Sequence, residues 1–222
     1  MTHVDEHLYE WGKLCTWMFE FDKEETHDDQ FNLPDGVSSP CKMMMQTNEF
    51  EYFDTDKFQA IQLPYGSGNL AMTILLPRSG EHVDNLIDTL DPQNWNQWLT
   101  RFSRDSVTLE LPRFEIKYKR KLNDVLKTMG MGIAFSPGAN FTNMSKPGGI
   151  WIDYVKHKSF VKVDEEGTEA AAVTIVAMER ISVGGGSQIQ YMRVDRPFVF
   201  VIHERQTNTL LFMGKIVEPG EG

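Results

Sequence analysis

Three runs of almost unbroken apolar residues constrain this chain most: residues 70–76, 198–202 and 210–217. A surface helix would interrupt them with polar residues at a period near 3.6, and a half-exposed strand at a period of 2. Runs this short with neither period fit strands in a sheet interior, covered on both faces. Pro197 can begin the second run but could not sit inside it, because it lacks the N–H a ladder needs. Residues 51–63 carry aromatic and aliphatic side chains suited to strands. Pro64, Gly66, Ser67, Gly68 and Asn69 then form a dense turn signal, so residues 51–76 read as a hairpin.

Two further segments alternate. Val107, Leu109 and Leu111 are separated by Thr108 and Glu110, the pattern of a half-buried strand. Val155, His157, Ser159, Val161 and Val163 are opposed by Lys156, Lys158, Lys162 and Asp164, which places His157 on the buried phase.

Three segments have helical spacing instead. Val83, Leu86, Ile87 and Leu90 make one apolar stripe. A second stripe, Trp95, Trp98, Leu99 and Phe102, follows Asp91, placed to cap, and Pro92, whose missing N–H costs nothing in a first turn. A third, Leu122, Val125, Leu126 and Met129, ends at Gly130, which can supply a left-handed terminating residue. Aromatic and methionine stripes of this kind read as core, not as cofactor boxes.

With 222 residues, 41% hydrophobic and 24% charged, the chain has ordinary globular composition and room for one substantial core. No repeat, linker or composition shift divides it, and one α+β domain, or part of one, is the simplest reading. A net charge of −10 argues against general binding to nucleic acid or to anionic membrane. Lys117, Lys119, Arg120 and Lys121 form one short basic run, read as a solvated strand end. Cys15 and Cys41 allow a single disulfide at most, and the six histidines show no metal spacing. Neither a metal nor another cofactor is expected. No apolar run approaches the roughly 20 residues that span a bilayer. Residues 1–10 are polar and acidic, unlike a secretory signal peptide, so the chain is either cytoplasmic or lacks its true N-terminus. Two sequons, at Asn140 and Asn143, read as chance matches in that context.

Residues 164–192 depart from the pattern on either side. They open on a charged turn with Gly167, pass through Ala170, Ala171 and Ala172 to Val173, Thr174, Ile175 and Val176, and end in Gly184, Gly185, Gly186 and Ser187. A long surface loop leading to an edge strand accounts for that composition without any special function. The flanks add more. Glu165, Glu166, Gly167, Thr168, Glu169, Ala170, Ala171 and Ala172 closely resemble the proximal hinge of inhibitory serpins. Residues 197–202 and 211–219 resemble that family's C-terminal strand pair, and residues 155–158 the stretch before the hinge, where the family has a buried histidine. Trp17 with Phe21, residues 43–46 and residues 71–77 are further similarities, all in family order.

The resemblance implies an α+β fold of mixed sheets with a few helices and an exposed reactive loop over about residues 165–192. It implies no enzyme but a suicide substrate for a serine protease. The protease attacks the loop as bait, the cleaved loop inserts into the main sheet as a new strand, and the acyl-enzyme is carried off and distorted. Physical logic agrees with the hinge sequence. Thr168, Ala170 and Ala172 share one face of an extended strand and all are small, Glu169 can stay in water on the other face, and Gly167 frees the pivot. A charge buried at Thr168 or Ala170 would cost several kcal/mol, roughly, without a partner.

Family spacing puts the scissile bond between Ile181 and Ser182, which suits an elastase-like or subtilisin-like protease. One residue of slack puts it between Arg180 and Ile181, which suits a trypsin-like one. By resemblance, His157 and Trp17 belong to the region where the sheet opens. No Gly-x-Ser-x-Gly or acid partner makes His157 a catalytic base. The similarity covers residues 17–222 as the C-terminal part of a single serpin domain; residues 1–16 are unmatched, and an N-terminal half is expected to be missing. The alternative reading is a non-inhibitory relative, a carrier, a chaperone or a structural relic.

Overall fold

A computed structural model describes residues 16–168 and 189–220. They form two compact units, one made of described residues up to Glu115 and from Lys162 onward, the other of Ile116–Val161. Ten strands occur among the described residues: β1 His27–Asn32, β2 Ser38–Asp54, β3 Phe58–Tyr65, β4 Leu70–Pro77, β5 Ser103–Pro112, β6 Phe114–Lys121, β7 Lys156–Val163, β8 Gln190–Arg193, β9 Phe198–Glu204 and β10 Leu210–Ile216.

In the larger unit, eight strands make one sheet in the order β10-β9-β4-β3-β2-β5-β8, with β1 also paired to β2. Neighbours are antiparallel except β5 and β8, which are parallel. The β3–β4 hairpin forms as predicted, and from Ala71 to Pro77 strand β4 is buried throughout. Ile74, Leu75 and Leu76 are fully buried. Burial of each contributes about 1.5–3 kcal/mol. Residues 51–63 are not continuously extended. Thr55 turns the chain between β2 and β3, its hydroxyl accepting from the amides of Lys57 and Phe58 at 3.2 and 2.9 Å.

Helices α1 (Val83–Asp88) and α2 (Pro92–Leu99) cover one face of this sheet. The Asp91 carboxylate accepts from the Asn94 amide at 2.7 Å. That is the expected cap, and Pro92 occupies the first turn. Val83, Leu86, Trp95 and Trp98 pack with Phe53, Phe58, Ala60, Leu75, Val199 and Val201, and Ile87, Leu90, Leu99 and Phe102 close the edges. His203, two residues past Val201, is fully buried. Its Nε2 lies 2.9 Å from the Thr73 hydroxyl and its ring is edge-on to Trp95.

Strand β10 departs from expectation. Its apolar run reads as sheet interior, yet Leu210, Leu211, Phe212 and Met213 are exposed. It pairs with β9 alone at the end of the sheet, and no described element lies over those side chains. Cys41 is a buried free thiol, and burial pushes its pKa up to about 11. Cys15 lies outside the described residues.

In the smaller unit, β6 and β7 form a two-stranded sheet. Asn123 fastens the returning chain, its amide donating to Asp153 O and its carbonyl accepting from the Val155 amide, both at 2.9 Å. Two expectations fail here. The third helical stripe yields only α3 (Asn123–Leu126), continued by a wider turn over Lys127–Met131 in which Gly130 takes φ 97°. Val125 and Met129 are exposed rather than core. One helical turn is too short to hold a stripe against a neighbour. His157 is exposed rather than buried, with its Nε2 2.7 Å from the Ser159 hydroxyl. The alternation is present, but this end of β7 has no second layer over either face among the described residues.

Candidate functional site

The segment that resembles a serpin hinge begins on a turn at the end of β7. Asp164 and Gly167 exchange backbone hydrogen bonds at 3.0 and 3.3 Å, and Val163 is bridged to Thr168. Gly167 has φ 148°. Side chains with a Cβ avoid that region. The turn brings Glu165, Glu166, Gly167 and Thr168 against Trp17, which the resemblance places at the opening of the sheet.

Trp17 is the centre of the cluster. Its ring stacks on Tyr65 with centroids 4.5 Å apart and planes 11° from parallel. Its indole N–H donates to Asp164 O at 2.9 Å, and its amide donates to Glu166 O at 2.9 Å. Thr16 bridges Gly167, and Phe21 donates its amide to Glu165 O at 3.0 Å. Tyr65 reaches the last described hinge residue, its hydroxyl 2.6 Å from that of Thr168. Residues 16–21 thus form a short backbone splint along the turn.

Three cations answer the three consecutive acids. Glu165 is 2% exposed, and its Oε1 accepts from Arg113 Nε and Nη2 at 2.9 and 2.7 Å and from the Thr26 hydroxyl at 2.5 Å. Burial alone would raise its pKa, but the bonds from Arg113 and Thr26 outweigh burial and hold the carboxyl below its ordinary value. Lys23 Nζ lies 2.5 Å from Glu166, and Lys162 Nζ 3.7 Å from Asp164. The exposed Lys23–Glu166 pair is worth little in water, whereas a buried carboxylate without Arg113 would be costly. Together these side chains line a shallow charged cleft of about 220 Å³.

On the C-terminal side of residues 169–188, β8 is anchored differently. Arg193 pairs with Asp29 at 2.5 Å, Glu110 at 3.1 Å and Asp195 at 3.7 Å. The Tyr191 hydroxyl donates to Glu110 at 2.6 Å, and Gln59 donates to Tyr191 O at 2.9 Å. Glu110, expected on the solvent phase of β5, is buried in this network. Among the described residues no group of acidic, histidine or cysteine side chains could hold a metal.

Of the residues singled out in the sequence, Glu169, Ala170, Ala171 and Ala172 and the scissile candidates Arg180, Ile181 and Ser182 lie outside the described residues. His157 belongs to the smaller unit. Sequence reasoning does not find Arg113, Thr26, Lys23, Tyr65 or Arg193. The run Asp164, Glu165, Glu166 signals a need for cations, but Arg113 is 52 residues away and Lys23 is 143 away from their partners, and no local spacing marks them.

Comparison with known proteins places the chain as a whole. A family model described as serpin (serine protease inhibitor) matches residues 14–219. An uncharacterised serpin-like protein of Thermococcus kodakarensis is 37% identical over 94% of this chain and 48% of its own length. Human Serpin B13 is 34% identical over 91% of this chain and 52% of its own. The native structure of tengpin, a thermophilic serpin, is similar with a TM-score of 0.76 and 29% identity, covering 91% of this chain and 52% of that one. Uncleaved ovalbumin gives a TM-score of 0.77 at 26% identity, over 92% and 51%. The chain spans about half the length of the relatives it matches. A match from residue 14 to residue 219 makes this chain a member of the serpin family.

Proposed function

We propose that this chain inhibits a serine protease as a suicide substrate, with residues 165–192 as its reactive loop and residues 17–222 as the C-terminal part of one serpin domain. The observation that carries the reading is the hinge itself. A turn fixed by Trp17 and Arg113 leads to Thr168, and the next residues in sequence alternate small side chains on one face of an extended strand. In this reading the protease cuts the loop at Arg180–Ile181 or Ile181–Ser182. Thr168, Ala170 and Ala172 then enter a sheet beside β7 without burying a charge. Speed decides the outcome, because insertion must precede hydrolysis of the acyl-enzyme.

A non-inhibitory role is the second reading. One observation favours it: among the described residues, the sheet containing β7 has two strands only.

Incubation with a trypsin-like and with an elastase-like or subtilisin-like protease, followed by denaturing electrophoresis, separates the two readings. Inhibition yields a covalent complex that survives detergent, and mass spectrometry of the C-terminal peptide locates the cut. Clean loop cleavage with fully active protease would rule inhibition out.

A further inference from the structure

The turn between β1 and β2 carries a pair of residues found nowhere else in the chain. Asp35 is the only aspartate followed by glycine, and no asparagine is followed by one. The ladder from β1 to β2 closes at Asn32 and Ser38, and the tip beyond it, residues 34–37, is exposed. Pro34 supplies the fixed φ that the second position of such a turn favours, and the Gly36 amide donates to Leu33 O at 3.1 Å. Gly36 takes φ 82°, a conformation that side chains with a Cβ rarely adopt. The Leu33 amide then donates to Val37 O at 2.8 Å and returns the chain to β2.

The Asp35 carboxylate leans over this tip. Its Oδ1 accepts from the Val37 amide at 3.1 Å. The ring of atoms closed by that bond includes the Gly36 nitrogen, so this nitrogen and the Asp35 carboxyl carbon are held as near neighbours. The bond also draws electron density from the carboxyl carbon, which favours attack on it. Gly36 has no side chain to shield its nitrogen, and beyond its chain neighbours nothing lies within 4 Å of where a Cβ would stand. Asp105, followed by Ser106, lacks this arrangement. Both are fixed in the β2–β5 ladder, opposite Phe50 and Glu49.

We propose that Asp35 isomerises spontaneously to isoaspartate, which makes this turn a substrate for a carboxyl methyltransferase that recognises that residue. The Gly36 nitrogen attacks the side-chain carboxyl carbon of Asp35. Its proton and the carboxyl hydroxyl leave as water, and a cyclic imide forms. Water then adds back. Opening at the side-chain carbonyl restores aspartate. Opening at the main-chain carbonyl leaves the backbone running through the side-chain carbon and frees the former main-chain carbonyl as a carboxylate. No atom is gained or lost over the two steps, and nothing is oxidised or reduced. That new carboxylate is the group a methyltransferase would esterify with the methyl of S-adenosylmethionine. The product lengthens the main chain between Leu33 and Val37 and removes the acceptor of the Val37 amide. The disturbance lies next to β8, because the Asn32 amide donates to Asp195 O at 2.7 Å.

The test is ageing of the whole folded chain at neutral pH in water enriched in heavy oxygen, followed by digestion and peptide mapping with mass spectrometry. The peptide containing Asp35 is expected to split into two chromatographic peaks of one composition, both carrying heavy oxygen. Only the new peak should accept labelled methyl from S-adenosylmethionine and an isoaspartyl methyltransferase. Gly36→Asn keeps a residue that tolerates the left-handed conformation but sets a side chain beside the nitrogen, so the new peak should be lost. Asp35→Asn reaches the same imide by releasing ammonia, and the new peak should appear sooner. Circular dichroism of each variant checks that the fold is kept. A synthetic peptide of residues 31–39 serves as the unfolded comparator. Isoaspartate in the peptide but none at residue 35 of the folded chain overturns the proposal, as does undiminished formation in Gly36→Asn.

Discussion

The indole N–H of Trp17 and the carbonyl of Asp164 meet at 2.9 Å across 147 residues of chain. The bond ties the first described residues to the turn that ends at Thr168. Because the same ring stacks on Tyr65, whose hydroxyl reaches Thr168, one side chain sets both the base and the exit of that turn. Substituting Trp17 by Phe keeps an aromatic ring against Tyr65 and deletes the donor. A loss of about 1 kcal/mol in urea unfolding is expected, with faster amide exchange at residues 164–168. Unchanged exchange there would show that the ring alone holds the turn.

Glu165 supplies an acid-side dependence. Its carboxyl titrates below the unfolded value, so its stabilisation is present above the ordinary glutamate range and is lost as pH falls through the folded value. Glu165→Gln should cost about 1.5–3 kcal/mol near neutral pH and flatten the decline in melting temperature between about pH 5 and pH 3. An equally steep decline in the variant would place that dependence on other carboxylates.

His203 acts in the opposite chemical form. It is buried as the neutral ring, and burial depresses its pKa from 6.5. The unfolded chain therefore binds the proton first, and stability falls as pH drops below about 6.5. The ring faces Thr73 of β4 and Trp95 of α2, while the charges acting on it are Glu204 and Arg205 at its own strand end. Replacing His203 by Leu together with Thr73 by Val removes both partners at once. The melting temperature of that pair should lose its slope between about pH 7 and pH 5.5. A slope that persists would assign the effect elsewhere.

Gly214 sits opposite Phe200, and a Cβ there would lie 2.5 Å from the phenyl ring. Gly214→Ala should destabilise by about 1–3 kcal/mol through overpacking. Adding Phe200→Leu makes room, so the double variant should cost less than the sum of the singles in a double-mutant cycle.

Much of the fold could be read because local chemistry and burial agree. The β3–β4 hairpin has turn residues and apolar runs in the right order, and α2 carries its own cap at Asp91. The turn around Gly167 is equally local. What escaped depends on which neighbour covers a surface. Val125, Met129 and His157 have the periodicity of buried elements and residues 210–213 their continuous apolar run, yet such patterns do not state whether anything lies over a face. Glu110 fails in reverse, looking like a solvated residue until Arg193, distant in sequence, folds beside it. Arg113 and Glu165 are joined by geometry alone.

The placement of β9 determines what a cut within residues 169–188 would leave behind. Any break within residues 169–188 divides the covalent chain, but the piece carrying β8, β9 and β10 remains laced to the other. Six register pairs join β9 to β4, and the Arg193 network fastens β8 to β5. A cut there should therefore produce two polypeptides that still travel as one particle in native chromatography. Only denaturant parts them, so the molecule keeps its scar.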